Sequence, residues 1–143
     1  MQNRISSFYH AIAAGALGGL LQTTIILIAS LLGFFKLLQL PLAFEFNLVW
    51  YYQRFVWGAI WGLLFLIPVL RGLPHWKRGL IVGVFPALAS LLIFLPFKDG
   101  HGYFGWKLGT MMPVVVILFA LIWGVIAGSL LDRVAPQEEE VEE

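Results

Sequence analysis

Charged residues leave long gaps along this chain, and the gaps set the reading. Residues 11–35 form a run of 25 without a charge, 79–97 a run of 19 and 108–131 a run of 24. A helix crossing a hydrocarbon core of about 30 Å needs about 20 residues, so each run predicts a spanning helix. The stretch 55–70 has only 16 uncharged residues. Extending it back through "VWYYQR" to Val49 brings in Trp50, Tyr51 and Tyr52, residue types suited to the membrane–water boundary. The predicted spans are therefore 11–35, 49–70, 79–97 and 108–131, with Arg54 inside the outer turn of the second. The first is too long for the apolar core of a signal peptide, about 7–15 residues, and reads as an uncleaved helix.

Prolines punctuate these helices at Pro68, Pro86 and Pro113. Pro86 falls in mid-span, where the missing N–H predicts a kink and a carbonyl in need of a partner such as the Ser90 hydroxyl.

An even number of spans puts both termini and the middle loop on one side. That side carries Arg4, Arg71, Lys77, Arg78 and Arg133, against Lys36, Arg54, Lys98 and Lys107 on the other. The dense basic turn "RGLPHWKR" sets the orientation by the positive-inside rule, with both termini cytoplasmic.

The chain also repeats itself. "WGAIWGLLF" (57–65) returns as "WGVIAGSLL" (123–131) with five of nine positions identical. A shift of 60 aligns "GLLQTTIILIASLLGF" (19–34) with "GLIVGVFPALASLLIF" (79–94), seven of 16 identical. Spans one and two thus read as a hairpin duplicated in spans three and four, and two-span units keep their orientation, giving a parallel repeat. Each span bears glycines four apart: Gly15/Gly19, Gly58/Gly62, Gly79/Gly83 and Gly124/Gly128. This spacing clears one helix face for a close neighbour, either within the bundle or in another subunit.

Composition agrees. Sixty per cent of residues are hydrophobic and 12% charged, where soluble domains average about 45–50% and about 25%. A net charge of +1 gives no field for nucleic acid, and the absence of cysteine removes disulfides, thiolate metal sites and cysteine nucleophiles. The polar residues inside the spans are Gln22, Thr23, Thr24, Ser30, Ser90, Thr110 and Ser129, none ionisable, and no catalytic or cofactor-binding set is expected. His101 and Asp99 share the loop "KDGHGYFGWK" without a third metal ligand. The apolar outer segment from Lys36 to Arg54 is expected to cap the outer end, and the acidic tail 134–143, "VAPQEEEVEE", to be disordered. Arg54 lies five residues past Val49, close enough for its side chain to snorkel to the headgroups, or to pair with Glu45 if the chain folds back at Asn47.

The "FVWGAIWGLLF" span, the basic "RGLPHWKRG" turn and the final "IWGVIAGSLLDRV" resemble the small, uncharacterised four-span inner-membrane proteins of bacteria. The resemblance covers spans two to four and implies architecture alone. Together these features predict an all-α, integral-membrane four-helix bundle of two duplicated two-span hairpins in the bacterial inner membrane. Its expected role is non-enzymatic, a self-associating or accessory subunit of a homo-oligomer or larger membrane complex packing through its glycine faces. The alternative is a channel or transporter subunit for a small solute or ion.

Overall fold

The structure, a computed structural model, describes residues 2–68 and 72–134. The acidic tail and the Leu70–Arg71 junction of the basic turn lie outside the described residues, within which every regular element is helical and no strand occurs. Helix α1, Gln2–Leu31, ends at Gly33, whose left-handed φ of 81° turns the chain into the one-turn helix α2, Phe34–Leu37. Gln39 (φ 56°) then reverses the direction, while the Leu40 N–H bonds the Phe35 carbonyl at 2.9 Å. A non-helical segment, 40–47, runs back along the end of α1, tied to it by the Phe44 N–H on the Ser30 hydroxyl at 2.9 Å. Asn47 caps α3, Leu48–Gly62, its side-chain oxygen accepting from Val49 at 2.9 Å and Trp50 at 3.3 Å.

A 3₁₀ stretch, Leu63–Leu66, continues α3 until Ile67 turns extended ahead of Pro68. Helix α4, His75–Ala89, contains Pro86 and passes into a π-helical stretch, Ser90–Lys98. Glycines at positive φ (Gly100, Gly102, Gly105, Gly109) shape the loop to α5, Met112–Val134, whose Pro113 sits in the first turn, where a missing N–H is no loss.

Three helices are long and apolar enough to cross a membrane: Arg4–Leu31, His75–Lys98 and Met112–Val134, with mean hydropathies of 1.9, 2.4 and 2.7. Helix α3 has 15 α-helical residues, about 22 Å at 1.5 Å per residue, and falls short of the core by itself. Large apolar side chains stand outward along the bundle, including Leu17, Leu21, Ile25 and Ile28 on α1 and Ile81, Val84, Phe85 and Leu88 on α4. Such outward stripes suit lipid as the surrounding solvent.

Helices α1 and α3 pack antiparallel, as do α4 and α5, and α1 crosses onto α5. Two buried bonds tie that crossing: the Trp123 indole N–H to the Gly15 carbonyl at 3.1 Å, and the Gln22 amide to the Phe119 carbonyl at 2.7 Å. Helices α3 and α4 scarcely touch. The core accordingly splits into a cluster at the termini end (Ala14, Phe65, Val82, Trp123, Ala127) and one at the loop end (Ile26, Phe35, Leu40, Leu95, Met112, Phe119). Phe35 and Leu40 bring the outer segment into the second cluster, so this segment caps the loop end from within.

Candidate functional site

Each of the eight paired glycines meets backbone of a partner helix in the same chain. A Cβ at Gly15 would strike the carbonyl of Gly58; at Gly19, that of Arg54; at Gly62, that of Ala11. In the second hairpin a Cβ at Gly79 would strike the carbonyl of Gly124; at Gly83, that of Ala120; at Gly128, that of His75. The two sets correspond contact for contact, with one offset for the first helices (11 to 75, 15 to 79, 19 to 83) and another for the second (54 to 120, 58 to 124, 62 to 128). The first offset is 64, four residues from the 60 that best aligns the letters. Four residues is about one helical turn, which preserves the face while moving the contact. Identity of leucines follows composition; close approach follows the glycines.

The correspondence breaks where the hairpins meet. Trp57 and Gln53 stand in α3 where Trp123 and Phe119 stand in α5, and Pro86 stands in α4 where α1 has Gln22. Pro86 offers no amide to bridge the helices, and the Trp57 ring packs edge-on against Phe94, centroids 5.3 Å apart. Instead of a closed seam, α3 and α4 border a cavity of about 480 Å³.

Its inner wall is apolar, made by Ile26, Phe35, Leu95, Met112, Val115 and Phe119 of the loop-end cluster. Polar groups reach it from several elements: Gln22 from α1, Gln53 and Arg54 from α3, Ser90 and Lys98 from the π-helical stretch, and Asp99 and His101 from the loop. The π-helical stretch carries four of the lining residues, Ser90, Phe94, Leu95 and Lys98. The Ser90 hydroxyl, expected to serve Pro86, borders this space.

Arg54 is deeper than counting from Val49 predicts. Its backbone lies against Gly19, 12 residues before the end of α1 at Leu31, about 18 Å along the helix axis. The difference arises because segment 40–47 doubles back before α3 begins, so α3 starts well below the top of α1. The guanidinium carbon stands 5.9 Å from the Trp50 ring centroid. Glu45 is exposed in the non-helical segment, and among the described residues no ion pair joins it to Arg54. The sequence placed Arg54 but gave no sign of its depth, which depends on the fold-back.

At the termini end the bundle is closed. Buried Arg78 on α4 donates to the Phe65 carbonyl at the end of the 3₁₀ stretch, bridging α4 to the α3 extension. Beside it, His75 and Asp132 join the start of α4 to the end of α5. The cavity is thus shut below and bordered by the loop end above. Among the described residues no three His, Asp or Glu side chains converge as a metal site would require. No protein-family model, curated protein or solved structure matches the chain, and its function is read from its own geometry.

Proposed function

We propose that the protein is a four-span protein of the bacterial inner membrane, both termini cytoplasmic, that binds a small solute in the cavity between its two hairpins. It works as a binding or transport subunit rather than as an enzyme. The carrying observation is the cavity itself, with Arg54 on its wall near the middle of α1's length. An ionisable group at that depth is costly in a membrane and marks function by default. The fourth span is α3 with its 3₁₀ continuation: about 22 Å of α-helix and about 8 Å more at 2 Å per residue reach the core thickness. The shared contact scheme of the hairpins supports a duplicated two-span unit, and the cavity lies where the copies have diverged.

The cavity weighs against the reading as an assembly subunit held by glycine faces. All eight glycines are engaged inside the chain, so a homo-oligomer or larger complex would form on the leucine- and isoleucine-rich outer faces.

Access provides the test. The chain has no cysteine, so single cysteines at Gln53, Ser90 and lipid-facing Leu88 report cleanly. A membrane-impermeant thiol reagent added outside should label the first two and leave Leu88→Cys untouched, because the thiolate does not form in lipid. Silence at both cavity positions, with signal from the loop position Tyr103→Cys, would overturn the reading.

A further inference from the structure

We infer that the cavity binds a single-chain anionic amphiphile, its carboxylate or phosphate on Arg54 and its apolar chain along the inner wall; this rests on the binding reading above. Four observations lead there. Arg54 reaches the cavity with no carboxylate in ion-pair range among the described residues. Lys98 adds a second cation and Asp99 one anion, so the formal charge of these three groups bordering the space is positive.

The polarity is specific to this site. Positions 53 and 54 are Gln and Arg, whereas their counterparts in the closed seam are Phe119 and Ala120. A cation and an amide donor stand where the other hairpin has apolar groups, the arrangement that a buried anionic head requires. A planar guanidinium held over Trp50 is suited to bidentate recognition of carboxylate or phosphate.

The remaining wall is wrong for a bare inorganic anion. Phe35, Met112, Val115 and Phe119 are nearly fully buried and present hydrocarbon and a thioether, with no hydrogen-bond donor. The volume, about 480 Å³, holds about 16 water-sized groups at about 30 Å³ each, the scale of one acyl chain with its head and not of two. A lateral route, beside the mouth at the loop end, is hydrophobic: α3 and α4 scarcely touch, and Trp57 of α3 meets Phe94 of the π-helical stretch across that side. An amphiphile dissolved in the bilayer can pass there chain-first, while Arg54 supplies the reason to stop.

Trp50, Trp57, Trp61 and Trp123 all border the cavity, so intrinsic fluorescence reads its occupancy. The probes are a brominated 12-carbon fatty acid, its methyl ester and a 12-carbon monoacyl glycerol phosphate, added to the detergent-purified full chain at pH 8. The acid should quench saturably with an apparent affinity at least 10-fold above that of the ester. The monoacyl phosphate should displace it, and the tighter of the two identifies the head. Arg54→Gln should reduce the acid to the ester's level and leave the ester unchanged, and Arg54→Lys should recover part of the preference. Equal affinity for acid and ester, an acid affinity unmoved by Arg54→Gln in a folded variant, or equally effective displacement by millimolar inorganic phosphate would each overturn the assignment. Because the cysteine labelling measures access without any ligand, an accessible cavity lacking anion preference would refute the ligand and leave the binding reading in place.

Discussion

Trp123 donates its indole N–H to the carbonyl of Gly15 at 3.1 Å, across the α1–α5 seam between the two hairpins. That carbonyl is reachable because α1 is stripped of side chains there: Gly18 beside it has its nearest neighbours in Ala127 and Trp123 themselves. Trp57, the matching tryptophan in α3, packs on Phe94 instead. One tryptophan fastens a seam and the other stands across a gap. The different packing of these two residues accompanies a closed α1–α5 seam and a cavity bordered by α3 and α4.

Stability should therefore depend on them unequally. Trp123→Phe keeps an aromatic ring but removes a buried hydrogen bond from a carbonyl that retains its partner within α1, with an expected loss of about 0.5–1.5 kcal/mol. Trp57→Phe removes no bond of this kind and should change stability by less than about 0.5 kcal/mol. Thermal unfolding of both variants in the same mild detergent checks the difference; equal shifts in Tm would mean that the Trp123 bond contributes nothing beyond ring packing.

The glycine contacts give a second ordering. Gly15→Ala, Gly58→Ala, Gly79→Ala and Gly124→Ala each place a methyl against a carbonyl of the facing helix, and such overpacking costs about 1–3 kcal/mol. Gly72 has open space around it and no left-handed φ, so Gly72→Ala should be neutral or slightly stabilising. Unfolding midpoints of the five variants decide it, and a tolerated alanine at Gly79 or Gly124 would contradict the packing.

These contacts also show what the sequence could carry. Glycines four apart are legible because they state a local fact, one bare helix face, and each pair faces another pair in the structure. The spans of α1, α4 and α5 are legible for the same reason, as uninterrupted apolar length. The cavity is not local. It depends on α3 starting below the top of α1 and on side chains of α1, α3, the π-helical stretch and the following loop bordering one space. The offset of 64 was likewise hidden, since leucines aligned by letter outvoted two glycines aligned by contact.

Orientation can be read with cysteines near the two ends of the bundle. Ser6→Cys and Gly72→Cys lie at the termini end, and Tyr103→Cys at the loop end. The first two should react only after the inner face is opened, and the third with an impermeant reagent outside intact cells. Reaction of Gly72→Cys from outside would invert the assignment and place the cavity mouth in the cytoplasm.

Arg54 supplies the last expectation, because its two neighbours call for opposite results. The Arg54 backbone packs against Gly19 while the guanidinium reaches the Trp50 ring, and insertion scales charge up to about 2.5–3.5 kcal/mol for a cation as deep as the helix centre. Contact with the Trp50 face returns about 0.5–1 kcal/mol, or about 2 when desolvated. The balance leaves Arg54 a net burden on the unliganded fold, the usual signature of a residue retained for binding. Arg54→Leu should therefore match or exceed the parent's thermal stability in the absence of ligand, while losing the preference for an anionic probe. A double-mutant cycle separates the neighbours: Arg54→Leu with Trp50→Leu should couple by about 0.5–1 kcal/mol, whereas Arg54→Leu with Glu45→Ala should be additive within about 0.5 kcal/mol. Strong coupling to Glu45 would mean that the exposed segment folds in to neutralise the arginine, and the anion site would then be occupied by the protein's own carboxylate.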